Sequence, residues 1–321
     1  MRIASLLPSA TEIACALGLQ SQIVSVSHAC DYPAFVTRLP VLTRSAVPIQ
    51  GRTPAQIDDD ISAHLRTGAS TYAIDSALLR TLAPDLILAQ ALCEICAVSE
   101  GQVHRLVHEQ ELGSRVLTLT PRDLEGVFRS VEYVGDATGT GLQARQITAG
   151  LRDRLASLRA ARPPVAARLR VLALEWTDPP FVGGHWVPEQ IAAAGGIDVL
   201  GRAGHPSFRT TWEEIAAARP DIVLVLPCGY TLDEVVQQAQ DLARHPAWRS
   251  LPAVRDGSVW AVEASAWFSR PGPRVLDGIE AIAPILRHPL RQSGERPQPA
   301  GTRHLGLGRR RLASSVSRAP G

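Results

Sequence analysis

The chain has 321 residues, 45% hydrophobic and 20% charged, which is ordinary for a globular protein and long enough for two separate cores. Its net charge of +2 is unevenly placed: seven Arg against Glu295 alone lie between Arg291 and Arg318, so the rest of the chain is slightly acidic, which excludes a basic nucleic-acid footprint on the folded part. No stretch reaches the roughly 18 apolar residues of a membrane span, and Pro8, Thr11 and Glu12 break the apolar run after Arg2, so the lack of a signal peptide predicts a cytoplasmic protein.

In chain order, Arg2 to Leu7 has strand length, and Ser9-x-x-Glu12 forms the sequence pattern of a capping box for a short helix ending at Gly18. Ile23 to Ser27 predicts a second strand. A helix begins at Thr53-Pro54 with Ile57, Ile61 and Leu65 on one face, and another lies near Leu78 to Leu82. The strand Asp85 to Ala89 runs into Cys93-Glu-Ile-Cys96, and the strand Arg115 to Leu119 follows a further helix. Asp123 precedes a helix burying Leu124, Val127, Val131 and Val134. Gln143 to Arg162 reads as one long helix, with Ile147, Leu151, Leu155 and Leu158 on one side and Pro163-Pro164 as its stop. At about 1.5 Å per residue it is roughly 30 Å long.

Beyond it, strands are expected at Leu169 to Leu174, Asp221 to Leu226 and Ser258 to Val262. Helices are expected before Gly195, after Thr210-x-x-Glu213 (a second capping-box pattern), from Leu232 to Arg244, and over Val275, Ile279, Ile282 and Leu286. The final stretch is rich in Arg, Pro, Gly and Ser without periodicity, which predicts disorder from 289 to 321.

Two internal matches point to a duplication. LLRTLAPDLIL resembles EIAAARPDIVLVL, and RIASLL resembles RVLALE at the start of each half. Alternating strands and helices in both halves predict two parallel-rich α/β lobes joined by the long helix: residues 1–120, linking helices at 121–165, and 166–288.

In open parallel sheets ligands bind beyond the carboxyl ends of strands. The unusual residues follow predicted strands: His28, Cys30 and Tyr32; Cys93 and Cys96; Glu175, Trp176, His185 and Trp186; Cys228 and Tyr230; Trp267, Phe268 and Arg270. If the lobes face each other, these loops line one cleft, with aromatic side chains as ligand platforms as one reading and local packing as the other. Five cysteines, an odd number, fit a reduced compartment better than a disulfide framework. Cys93-x-x-Cys96 with Cys30 and either His28 or Cys228 has the donor types of a zinc or iron site, whereas burial as small apolar groups is the commoner fate of such thiols. Gly183-Gly184 is too short for a dinucleotide loop, Asp58-Asp59-Asp60 reads as a solvated helix face, and no nucleophile elbow or Ser-His-Asp order is present, so no catalytic residues are assigned.

SLLPSATEIACALG, the two Pro-Asp strand units, LEWTDPPFVGGHWVPE, LPCGY and WFSRPGP together resemble the cobalamin-binding branch of the iron-siderophore and cobalamin substrate-binding proteins of ABC importers. The resemblance runs in order over about residues 1 to 287. It implies the class III architecture, in which a single long helix joins two α/β lobes and the ligand is held between them. It further implies a non-catalytic protein that binds a corrinoid, cobalamin or a precursor; with the residues after the predicted strands, the expected ligand contacts are Tyr32, Glu175, Trp176, His185, Trp186, Tyr230, Trp267, Phe268 and Arg270, in a monomer with no required cofactor. Docking on a transporter permease is implied through a glutamate on each lobe in the helix before the Pro-Asp strand. Glu213 stands at that place in the second half and Ala77 in the first. The alternatives are another metal chelate, such as a ferric siderophore or haem, or an intracellular metal-binding or redox protein using the cysteines.

Overall fold

The computed structural model describes residues 1–68, 70–91, 100–287 and 298–305, which fall into two compact units. The first comprises Met1–Ser157 with Arg270–Leu276; the second comprises Leu158–Ser269 and the chain from Asp277. The expected single passage through the long helix is therefore incomplete, because a short segment after the last predicted strand packs with the first unit.

The first unit contains β1 (Ile3–Ser5), α1 (Pro8–Ala16), β2 (Ile23–Ser25), β3 (Thr43–Ser45), α2 (Pro54–Arg66), β4 (Tyr72–Ile74), α3 (Ser76–Leu82), β5 (Leu86–Gln90), α4 (Glu100–Glu109), β6 (Arg115–Leu119) and α5 (Leu124–Thr138). α6 (Gly141–Ala160) follows and carries the chain into the second unit. Four parallel strands are ordered β2-β1-β5-β6. Strand alternation divides the core: Ile3, Leu86 and Leu88 pack on one side with Ile13 and Val131, while Ala4, Ile87 and Ala89 pack on the other with Leu79. Both faces are thus covered, which is why β5 reads as an unbroken apolar run. The insert around Thr43 to Tyr72 carries its expected helix, flanked by an antiparallel β3–β4 pair that strand-length patterning did not reveal.

The second unit contains β7 (Arg170–Thr177), β8 (Pro180–Val182), α7 (Val187–Ala194), β9 (Ile197–Asp198), β10 (Phe208–Arg209), α8 (Trp212–Ala218), β11 (Ile222–Val225), α9 (Leu232–Leu242), α10 (Pro246–Ser250), α11 (Pro252–Arg255), β12 (Val259–Val262), α12 (Ala264–Trp267), most of α13 (Val275–Arg287) and β13 (Thr302–His304). Its sheet runs β10-β8-β7-β11-β12-β13, with β9 also beside β7. β7, β11 and β12 are parallel; β8, β10 and β13 are antiparallel additions.

The duplication is visible in hydrogen bonds. In the first unit the Arg2 N–H donates to Asp85 Oδ2 at 2.7 Å, and the Arg2 guanidinium donates to Leu82 O. In the second, Arg170 N–H donates to Asp221 Oδ2 at 2.8 Å, and its guanidinium donates to Ala218 O and Arg219 O. Ile3 pairs with Leu86 as Val171 pairs with Ile222. Ala83 and Arg219, the residues before the two Pro-Asp pairs, both adopt positive φ, at 38° and 45°.

Four expectations are corrected. Ser9 does not cap α1: the helix starts at Pro8 with Leu7 as its cap residue and no side-chain cap bond, and Glu12 is engaged elsewhere. The capping box of α8 is Thr211 with Glu214, one residue later than expected. α5 buries Val127, Phe128, Val131 and Val134 and belongs to the first unit's core, not to a linker. Within the stretch expected to be disordered, residues 298–305 are ordered and include β13, which pairs with β12; the remainder of that stretch lies outside the described residues.

α5 and α6 approach closely where Gly135 faces Ala144; a Cβ added at Gly135 would lie 2.4 Å from the Ala144 Cβ. At an open helix position Gly→Ala stabilises by about 1 kcal/mol. Here overpacking outweighs propensity, so Gly135→Ala is expected to lower the melting temperature, at a cost of about 1–3 kcal/mol. A rise in melting temperature in a calorimetric scan would refute this reading of the contact.

Candidate ligand-binding site

In the first unit the carboxyl ends of β1 and β2 lead into the N-terminus of α1 and the loop from Ser27 to Pro33. Glu12, one turn into α1, is only 3% exposed at its side chain. A carboxylate buried this far requires partners. Arg274 supplies a bidentate pair, Nε to Oε2 at 2.8 Å and Nη2 to Oε1 at 2.6 Å, and Arg270 adds a longer contact at 3.5 Å. Arg270 is itself forked onto Asp31 at 2.5 and 2.9 Å and donates to Ala29 O. Burial alone would push Asp31 up, but Arg270's hydrogen bonds and charge, with the charge of Arg274, hold its carboxyl below the ordinary value. The Arg274 guanidinium also lies 3.9 Å from the centroid of the Tyr32 ring, whose residue remains 48% exposed.

Beneath this cluster, Cys30 is buried with its sulfur 3.2 Å from both the Thr11 and Ser27 hydroxyls. Burial pushes its thiol pKa up despite those contacts, so it is held as a thiol. His28 has its Nδ1 2.8 Å from the Thr43 hydroxyl and its ring 5.4 Å from that of Tyr72; burial lowers its pKa and keeps it neutral at pH 7.

In the second unit Glu175 stands on β7. The residue as a whole is half-buried, but its carboxyl group is enclosed. Burial pushes that group up to about 8; Cys228 and Asp198 add to the rise, and the Ser207 hydroxyl and Gly184 N–H only partly offset it. Asp198, which accepts from the Leu200 and Gly201 N–H groups at 3.1 and 2.7 Å, is likewise pushed up by burial, to about 6. Trp176 and Tyr230 form a tilted pair 5.6 Å apart, and the Trp176 indole N–H is directed to Asp178 O. His185 has a positive φ of 50°, and its backbone exchanges hydrogen bonds with His205 O and the Gly204 N–H.

The predicted residues divide by accessibility. Tyr32, Trp176, His185, Tyr230 and Trp267 retain exposed surface. Trp186 and Phe268 do not, at 4% and 2%; the Trp186 indole donates to Phe268 O, and both are core residues. Arg270 is no free cation, because Asp31 and Glu12 engage it. Of the proposed metal ligands, Cys30 is buried in the first unit, Cys228 is exposed in the second, and Cys93 and Cys96 lie outside the described residues. Among the described residues no group of three or more His, Cys, Asp or Glu side chains could hold a metal ion, so zinc or iron at the cysteines is not supported. Sequence reasoning missed Asp31, Arg274, Asp198 and Ser207. Arg270 and Arg274 recur at i and i+4 around Pro271 and Pro273, which was the available signal for a paired clamp.

The model of the periplasmic binding protein family matches residues 3–266. A vitamin B12-binding protein of Vibrio cholerae is 24% identical over 293 residues, 89% of each chain. Among solved structures, the periplasmic vitamin B12-binding protein of Vibrio cholerae covers 88% of this chain and 95% of its own at 23% identity and TM-score 0.63. A periplasmic haem-binding protein of Pseudomonas aeruginosa covers 94% and 96% at 20% identity and TM-score 0.66. Likeness at these identities speaks for the fold. The expected cytoplasmic location is corrected by these matches: family and relatives are periplasmic, which points to an extracytoplasmic protein, and the reading of the N-terminus that suggested otherwise does not stand.

Two predictions follow from the charges. Arg274→Met strands the Glu12 carboxylate with only the longer Arg270 contact and is expected to lower stability to urea by about 3–5 kcal/mol; combining it with Glu12→Gln recovers part of the loss. Equal losses in the single and double variants would exclude the ion pair as the cause. For Glu175, the folded-state pKa lies above its ordinary value of 4.5, so the folded state holds the proton more tightly. The carboxyl group therefore leaves stability unaffected below about pH 4.5 and erodes it as pH rises toward about 8, at up to about 1.4 kcal/mol per pH unit. Glu175→Gln is expected to gain melting temperature relative to the parent progressively between pH 5 and about 8; a difference independent of pH would contradict this.

Proposed function

The chain belongs to the periplasmic binding protein family, and from that premise we propose that it is a corrinoid carrier, taking cobalamin or a precursor through the loops at the carboxyl ends of its strands. Membership makes it a non-enzymatic substrate-binding protein of the ABC-importer type. The observation that carries the corrinoid reading is electrostatic. Arg270, the cation best placed by sequence to receive an acidic chelate, is neutralised by Asp31 and Glu12, and Arg274 is spent on Glu12. Exposed Tyr32 in the first unit, and half-buried Trp176, Tyr230 and Trp267 in the second, suit a large ligand with apolar faces and edges, and each well-placed ring contributes about 0.5–1.5 kcal/mol beyond burial. The vitamin B12-binding relative supports the same reading.

Haem is the second reading, favoured by the likeness to a haem-binding protein of the same fold and by a histidine in each unit, His28 in the first or His185 in the second, as an axial donor. Docking on a permease is part of the proposal. Glu213 is exposed on α8, and Ala77 is exposed at the corresponding place on α3, so a glutamate contact is available on the second unit alone of these two positions.

Titration of the purified protein with cobalamin, cobinamide and haemin, following tryptophan quenching and the ligand absorption band, tests the reading. Saturable quenching by the corrinoids at or below about 10 μM is expected. Saturation by haemin alone would replace the corrinoid with haem, and no saturation by any of the three would remove both.

A further inference from the structure

The strand β13 has no part in the function so far. It is fastened at several points to the second unit. Trp260 to Val262 pair with Thr302 to His304, Arg303 forms a 2.8 Å ion pair with Asp233, the His304 Nε2 lies 2.6 Å from Gly257 O, and Leu305 packs on the core. The turn that leads into it, Pro299–Gly301, is closed by Thr302, whose N–H and hydroxyl both donate to Pro299 O. At the tip of that turn, the Gly301 carbonyl accepts from the Glu263 N–H, the first link into α12.

Gly301 also lies directly against the Trp267 indole. A Cβ built on it would stand 2.1 Å from Cη2 and 2.4 Å from Cζ3 of that ring, closer than any real contact, and its φ of +66° is one that side chains rarely adopt. The position is restricted to glycine for two independent reasons. On its other side Trp267 is held at the backbone, where Gln190 Nε2 donates to Trp267 O at 2.9 Å, and at Cβ, where Gly278 approaches so closely that an added Cβ would lie 2.9 Å away. The backbone of Trp267 is thus set by α7 and α13, and the far edge of its ring by Gly301 alone among these contacts.

We propose that residues 299–305 are a strap that positions the Trp267 ring for ligand, with Gly301 as the positioning residue. The inference rests on the corrinoid reading for the identity of the ligand, but not for the contact itself. The strap makes a C-terminal addition to the sheet into a determinant of one wall of the site. Without it the ring is free to turn about χ1 and χ2, and a platform that must be ordered on binding contributes less to affinity.

The test uses full-length protein carrying Gly301→Val, Trp267→Ala, both together, and Arg303→Ala, which loosens β13 without adding a clash. Cobalamin affinity and acrylamide quenching of the Trp267 emission, isolated by difference from Trp267→Phe, are read in parallel. Gly301→Val is expected to weaken cobalamin about tenfold and to make Trp267 more accessible to quencher, Arg303→Ala to move both in the same direction by less, and Gly301→Val to have no further effect on affinity once Trp267 is Ala. An undiminished effect in the Trp267→Ala background would overturn the strap as a positioning device, since the loss would then be general. If the parent protein does not bind cobalamin, the corrinoid reading falls by itself, and the quenching arm still decides the strap: unchanged accessibility in Gly301→Val overturns it, and increased accessibility sustains it.

Discussion

The buried carboxylate of Glu12 is the constraint around which the loops at the carboxyl ends of the first unit's β1 and β2 are arranged. An ionised group taken out of water at that depth must be compensated, and the compensation comes from residues far away in sequence, Arg274 and Arg270. The two arginines in turn dictate the loop between β2 and β3. Arg270 forks onto Asp31 and reaches Ala29 O, while Arg274 lies over the Tyr32 ring. One acidic residue in α1 thereby fixes the exposed aromatic of the loop, draws Arg270–Leu276 into the first unit and leaves the cluster with two cations against two anions. The same burial keeps Cys30 and Cys15 as thiols, the latter pushed up to about 11 by burial and by the Glu12 charge.

The duplicated Arg–Asp clamp has a complementary role. Arg2 with Asp85, and Arg170 with Asp221, tie the amino ends of two neighbouring parallel strands together in each unit. With the amino ends fastened by the same device, the carboxyl ends are where the two units have diverged. The first has paired ions and a single exposed tyrosine beside its α1. The second has a raised-pKa carboxyl group, a Trp–Tyr pair and Trp267. The fold repeats, while the side chains at the carboxyl ends of the strands do not.

Much of this was legible in the sequence because it is periodic. Strand and helix patterns located β5, β6, β11 and α13 closely, and the Pro-Asp repeat marked a duplication that the structure carries as the Arg–Asp hydrogen bonds. What failed did so for physical reasons. Ser9-x-x-Glu12 has the composition of a capping box, but Pro8 occupies the first helical position and tertiary ion pairing took Glu12 instead. Thr210 and Thr211 are adjacent, and Glu213 and Glu214 likewise, so two overlapping frames satisfy one pattern, and only backbone geometry selects Thr211 with Glu214. Trp186 and Phe268 lie beside the accessible His185 and Trp267 in sequence but turn inward, because the indole N–H finds the Phe268 carbonyl. β13 was hidden by composition: a few pairing residues inside an Arg- and Pro-rich stretch carry no periodic signal, and the sheet edge that receives them is only apparent in three dimensions.

Under the corrinoid reading, the electrostatics of both units act in one direction. In the first, the arginines are already compensated, so an anionic chelate would have to break Arg270 from Asp31 or Arg274 from Glu12 and strand a buried charge. In the second, Glu175 stays protonated at neutral pH because its surroundings disfavour negative charge, and bringing further anionic groups beside it and Asp198 would meet the same penalty. Two cations of the same unit, Arg202 and Arg209, lie over the Phe208 and Phe181 rings at 4.5 and 5.5 Å. A ligand that relies on shape and apolar faces meets none of these obstacles, since stacking on Trp176, Tyr230 and Trp267 requires no uncompensated charge. Selectivity between metal chelates then comes from cations that are occupied, not from cations that are missing.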